Sequence, residues 1–213
     1  MERSSKDRWA ALTGVGFILI LIASFIIMGD EPPEAKDGGQ AVIDHYSENK
    51  DSIEIGALAG AIAAIFLVWF FAYVSRLVSN ALGGSSMVPT VAIVGAAIVA
   101  VGAAIDNTLL FALAEAADDL DPSAAQAIQA IWDNDFIPFL VGTSLAMLAT
   151  GIGVLKSGIL PKWLGWVAVA IGIVAATPAG FVGAIAAALW ILVSSILLAI
   201  SAGREPAAPG PAV

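Results

Sequence analysis

The sequence predicts an all-α fold, a polytopic membrane helix bundle with six transmembrane helices and two short extracytoplasmic amphipathic helices. Three observations predict it. Of the 213 residues, 59% are hydrophobic and 13% charged, with a mean hydropathy of +0.92, far from the balance of a water-soluble domain. The apolar residues fall in long runs, and about 20 such residues cross a hydrocarbon core about 30 Å thick. The charged residues gather between the runs, acids in some gaps and bases in others. The spans are expected at about 9–28, 53–75, 89–114, 136–155, 163–177 and 180–201, forming one domain over 1–202, with 203–213 as a disordered cytoplasmic tail. Cysteine is absent, which excludes disulfides and thiolate metal sites.

Residues 1–8 are polar, with Arg3, Lys6 and Arg8, and the apolar run 9–28 follows directly. That run is longer than a signal-peptide core and no small-x-small cleavage site follows it, so it is expected to be retained as the first span. Pro32, Pro33, Gly38 and Gly39 break the chain next. Residues 40–49 then suit a short helix with Val42, Ile43 and Tyr46 on one face, resting on the membrane surface or on the other loops. His45, the lone histidine, has no second histidine to form a metal pair and reads as a solvated loop residue. The second span ends in Trp69, Phe70, Phe71 and Tyr73 with Arg76 just beyond, the signature of a membrane interface. Its Gly56, Gly60 and Ala64 make a small-residue ridge that another helix can approach closely. Gly83-Gly84 marks a turn, and Pro89 suits the first turn of the third span.

That third span holds the main candidate site, Asp106 with Asn107 beside it. Asp106 is the one ionisable residue of the membrane part, about 6 Å past the span's centre on the Glu115 side, at about 1.5 Å per residue. An acid there costs about 2.5–3.5 kcal/mol on insertion scales, so it needs a partner, a proton or a water-filled cavity. Gly95 and Gly102 share roughly its face, which lets a neighbouring helix come close. Thr143 and Ser144 of the fourth span are the expected hydrogen-bond partners, and Glu115, Asp133 and Asp135 would form an extracytoplasmic acidic vestibule above the site.

In the second acidic gap, Asp118, Asp119 and Asp121 lack the spacing of a calcium loop. Asp121-Pro122-Ser123 is instead a helix start, with the acid as N-cap and proline first. Residues 123–132 form a short helix with Ala127, Ile128, Ile131 and Trp132 on one face, and Asp133-Asn134-Asp135 is expected to cap the fourth span. Lys156 and Lys162 flank the next turn, after which Trp163 and Trp166 anchor the fifth span at an interface. Thr177-Pro178-Ala179-Gly180 divides an apolar run too long for one crossing, leaving a fifth span short enough for a tilted, thinned or re-entrant arrangement. Gln40-Ala41-Val42-Ile43 and Gln126-Ala127-Ile128-Gln129 echo one another, a hint of repeated hairpins.

With six spans, Arg3, Lys6, Arg8, Arg76, Lys156, Lys162 and Arg204 fall on one side, and only Lys36 and Lys50 on the other. The positive-inside rule then places both termini in the cytoplasm. The outer side receives fourteen acids, from residues 30–54 and 115–135, and such a face concentrates cations.

No catalytic pattern appears, and the chain is not expected to be an enzyme. Gly142-Thr143-Ser144-Leu145-Ala146 misses the G-x-S-x-G elbow by one residue and has no histidine near it as base. A Walker loop, H-E-x-x-H and a basic nucleic-acid patch are all missing, so neither cofactor, metal nor nucleic acid is expected. The stretches Trp132-Asp133-Asn134-Asp135-Phe136, Leu148-Ala149-Thr150-Gly151-Ile152 and Gly158-Ile159-Leu160-Pro161-Lys162-Trp163-Leu164-Gly165-Trp166 resemble a group of uncharacterised multi-pass membrane proteins common in actinobacteria. The resemblance implies a plasma-membrane helical protein of unknown function and transfers no catalytic residue. Two readings follow. In the first, the chain is a non-catalytic membrane component or partner-binding subunit, with Asp106 and Asn107 as interhelical glue. In the second, it is a small carrier or channel in which Asp106 takes up and releases a proton or cation. The expected partners are the lipid bilayer, a protein partner or a second copy of the chain, and, in the second reading, that proton or cation.

Overall fold

Lipid offers no hydrogen bonds, so apolar runs of this length satisfy their backbone as helices. The structure, a computed structural model that describes residues 2–84 and 86–202, contains eight helices and no strand among those residues. They are α1 (Glu2–Met28), α2 (Gly39–Glu48), α3 (Lys50–Ala81), α4 (Val88–Ala116), α5 (Pro122–Trp132), α6 (Ile137–Ser157), α7 (Lys162–Ala175) and α8 (Gly180–Ala202). Single 3-10 turns lie at Ala35–Asp37 and Ala117–Asp119. The expected tail at 203–213, with Arg204, lies outside the described residues. Five segments, carrying α1, α3, α4, α6 and α8, are long and apolar enough to cross a membrane. At 14 residues, α7 is shorter, about 21 Å at 1.5 Å per residue. A turn stops it, in which Thr177 Oγ1 donates to Val174 O (2.7 Å) and accepts from Ala179 N (3.2 Å).

The six larger helices form a closed ring. Each packs on the next in the order α1, α3, α4, α6, α7, α8, and α8 returns to α1. Small residues make the crossings possible. A Cβ on Gly14 would stand 2.8 Å from Phe70 and 2.9 Å from Ser195 Cβ, one on Gly142 would reach Val99 N at 2.7 Å, and one on Gly151 would reach Gly165 O at 2.7 Å. Side-chain bonds then fasten the backbones that this closeness exposes. Ser195 Oγ donates to Ala11 O (2.5 Å) and accepts from Val15 N (3.1 Å), Ser24 Oγ donates to Gly56 O (2.9 Å), and Trp190 Nε1 donates to Leu164 O (2.9 Å). Phe70, Met147, Val154, Leu164 and Trp190 fill the middle. The outer surface carries exposed Trp9, Phe25, Ile26, Ile65, Trp69, Trp166 and Phe181. A contiguous apolar surface of that kind belongs in lipid. At one end of the ring Arg76 pairs with Asp7 and lies 5.5 Å from the Tyr73 ring centre, in keeping with the interfacial character read from the sequence.

At the other end the short helices build a cap. There α2 and α5 pack against each other and on the ends of α3 and α4, in keeping with the expected rest of the short helices on the other loops. They form a second hydrophobic core of Val42, Tyr46, Ile53, Ala57, Leu110, Leu113, Ala114, Ala117 and Ala125. This is why α3 and α4 run to 32 and 29 residues, well beyond the roughly 20 that a bilayer needs. The start of α5 is as read from the sequence, with the Asp121 carboxylate accepting from Ser123 N (2.9 Å) and Pro122 in the first turn. The expected cap on α6 is not made. Phe136 stands at that N-cap in a helical conformation with no side-chain bond, because the turn after α5 leads straight into α6 and Asp133 is engaged by Ala35 N and Gln129 Nε2.

Gly39 sets the closeness of the two cap helices. Its Cα faces the Pro122 carbonyl so tightly that an added Cβ would overlap it. Gly39→Ala is therefore expected to push α2 from α5 and to destabilise the cap by about 1–3 kcal/mol, as overpacking does. Faster amide hydrogen exchange in α2 and α5, with α6 to α8 unchanged, is the measurement that checks this.

Candidate functional site

Asp106 lies where ring and cap meet. Gly60 on α3 lies against the Asn107 side chain, and Gly60 is one turn along α3 from Gly56, which packs on Met28 at the end of α1. On the other flank, Gly102 faces Pro138 in the first turn of α6, where an added Cβ would stand 2.8 Å from the Pro138 Cβ. Asp106, four residues further along α4, is level with the corner that joins α5 to α6. It is thus near the end of the bundle, although close to the middle of its own helix, because α4 continues into the cap.

Asp106 is half-buried there, and the corner level with it carries Trp132 and Asp135. Trp132 Nε1 and Asp135 Oδ2 are both buried without a hydrogen-bond partner. Such atoms cost about 1–3 kcal/mol each relative to a solvated state. Asn107 Nδ2 donates to Ala103 O (2.7 Å) in its own helix.

The remaining expected residues are elsewhere. Thr143 and Ser144 are buried on α6, where Gly142 and Ala146 pack on Gly95 and Val99, about 10–16 Å along α4 from Asp106 at 1.5 Å per residue. Neither meets Asp106, and Ser144 Oγ has no partner. Glu115 pairs with Lys50 (3.1 Å), which also approaches Glu54 (3.8 Å) at the edge of α3 and α4. Asp133 is tied into the cap, its Oδ2 accepting from Ala35 N (2.8 Å) and its Oδ1 from Gln129 Nε2 (3.0 Å). Of the three acids assigned to a vestibule, Asp135 is the one on the corner level with Asp106.

Sequence reasoning missed the group that links these parts. Tyr46 OH donates to Gln129 Oε1 (3.1 Å), and both side chains are fully buried. Gln129 continues to Asp133, and Gln126 Nε2 donates to Ala35 O (2.8 Å). The available signal was Gln129 four residues after Ala125 and four before Asp133, a polar residue on the helix face that α5 buries. Burial, with Asp106 and Asp133 nearby, pushes the Tyr46 phenol well above its usual range, so it stays a donor. His45, half-buried against Tyr46 with its Nε2 unpartnered, is held below the usual histidine range by burial. It is not the solvated loop residue expected.

A family described as a domain of unknown function, DUF4386, matches residues 12–203. The chain belongs to the DUF4386 family. That match takes in the whole ring from Leu12 of α1 to the end of α8, together with the cap, so both are part of the DUF4386 unit in this chain. No curated protein and no solved structure matches it.

Removing the Tyr46 hydroxyl would leave the Gln129 carbonyl oxygen buried and unpaired. Tyr46→Phe should cost about 1–3 kcal/mol in the cap. Proteolysis or hydrogen exchange in α2 and α5 reports it, and a cap as protected as in the native protein would contradict the role given to this bond.

Proposed function

We propose that this DUF4386 protein is a non-catalytic component of the plasma membrane, a partner-binding subunit with six spans, cytoplasmic termini and the cap outside. The observation that carries the reading is the charge of the cap. Lys36 and Lys50 are the only lysines or arginines in residues 30–54 and 115–135, and they pair locally with Glu34 and with Glu54 and Glu115. The other acids of these segments have no lysine or arginine of the cap to balance them, and a face of that charge attracts basic partners or cations. The packed interior supports the same reading. The hollows beneath α2 and between α3, α4 and α6 do not admit a water molecule. An actinobacterial source accords with the Leu160-Pro161-Lys162-Trp163-Leu164-Gly165-Trp166 stretch, and the lysine and arginine asymmetry supports the orientation.

One observation favours a second reading, a proton- or cation-coupled carrier. The corner that carries Asp135 is level with Asp106 on α4, and acids within membrane helices are established places for proton or ion pathways. Flux driven by a pH gradient in proteoliposomes, with a panel of cations, separates the two. A non-catalytic component is expected to give no flux, with Asp106→Asn changing stability alone. Flux in the native protein that Asp106→Asn abolishes would replace that reading with the carrier.

A further inference from the structure

Residues 30–37 cross the cap between α1 and α2 as a strap that takes no part in its core. Gly29 and Gly38 bound the strap with φ of +79° and +97°, and nothing lies within 4 Å of a Cβ at either position, so these glycines serve the backbone and not packing. None of the strap's side chains is buried. The Lys36–Glu34 ion pair (2.7 Å) and the bond from Glu34 N to Asp37 Oδ2 (3.0 Å) stay within it. Among the described residues, the two hydrogen bonds that join the strap to another helix are both made by the backbone of Ala35. Ala35 N donates to Asp133 Oδ2 (2.8 Å), and Gln126 Nε2 donates to Ala35 O (2.8 Å). Gln126 and Asp133 are exposed, seven residues apart on one edge of α5. Asp133 is braced from behind by Gln129 (3.0 Å), and Gln129 in turn by Tyr46 (3.1 Å).

A carboxylate that takes the N–H of a residue, with a carboxamide that gives to its C=O, holds a peptide by its main chain and reads no side chain. On the partner-binding reading of the acidic cap, we propose that Gln126 and Asp133 are a clamp for an extended, lysine- or arginine-bearing segment of a partner protein, and that the strap fills the clamp until the partner arrives. The strap shows what fits. Its clamped residue has an N–H, which excludes proline, follows an extended residue (Glu34, φ −72°, ψ 155°) and is followed directly by a lysine. Lys36 is held by Glu34 of the strap itself, whereas a base carried by the partner would meet Asp133 and the unbalanced acids of the cap. Release turns the chain at two glycines and uncovers no residue of the cap core. Being tethered, the strap competes at high local concentration and so sets the affinity that a partner must exceed.

Ala35→Pro removes the donor to Asp133 and leaves the clamp itself unaltered, and Glu34 already has the backbone that precedes a proline. The probe is a short end-blocked peptide of alternating alanine and lysine, titrated against the full chain in phosphatidylcholine nanodiscs. A second peptide, N-methylated at every backbone amide, keeps the charge and loses the N–H groups. The plain peptide is expected to bind the Ala35→Pro chain about tenfold more tightly than the native one, the scale of one charge-assisted hydrogen bond. Adding Gln126→Ala to that variant should undo most of the gain, and N-methylation should remove it. Equal binding of both peptides by native and variant chains overturns the clamp while leaving an acidic face that attracts a basic partner. No binding by either chain overturns the clamp and the acidic-face reading together. The native chain supplies a measurement that does not depend on folding of a variant: saturating plain peptide should speed amide exchange over residues 30–38 with α2 and α5 unchanged. A strap as protected with peptide as without it overturns the proposal.

Discussion

Close approach of helix backbones is the constraint on which the rest of this structure depends. Lipid tails are as apolar as leucine, so helices within a bilayer gain little from hiding apolar surface and associate through packing and a few hydrogen bonds. The ring meets this demand at successive crossings, with Gly14 under Ser195, Gly142 on Val99, Gly151 on Gly165 and Gly183 on Ala175. Once the backbones are that close, short hydroxyl side chains suffice as fasteners. Ser24 reaches across to Gly56 O, and Ser195 to Ala11 O.

The cap follows a different rule. Its core contains Val42, Tyr46, Ile53 and Leu113, and it lies beyond the ring where water is available, so burial of apolar surface is worth about 25 cal/mol per Å² there. One continuous helix, α4, contributes to both regions. Ala96 belongs to the core of the ring and Leu110, Leu113 and Ala114 to that of the cap. Asp106 sits between those two sets, which gives a physical reason for an acid at this point in an apolar helix. It is where the change of surroundings occurs.

Much of this was legible because membrane helices announce themselves locally. The long apolar helices and the Asp121-Pro122 start each follow from nearby residues, whereas the ends of α1 and α3 run past the expected 9–28 and 53–75. The surroundings of Asp106 were not legible in the same way. Centring it in its own span assumed that span and bilayer share a midpoint, and α4 departs from this by continuing into the cap. Thr143 and Ser144 looked like natural partners by composition, yet the stagger of α4 on α6 through Gly95 and Gly102 sets them about 10–16 Å along the helix from it. Gln129 went unnoticed because its value lies in Tyr46, 83 residues earlier in the chain, and no local pattern couples the two.

The ring is closed by its first and last helices. The Ser195 bonds to Ala11 and Val15 join residues 184 and 180 positions apart. A chain made from its N-terminus must therefore hold α1 in lipid, with the Gly14 face uncovered, until nearly all of the protein has been synthesised. Assembly of the ring is in this sense a final event of biosynthesis. A chain that stops after α7 would contain five of the six ring helices and still lack the contacts that make them a ring.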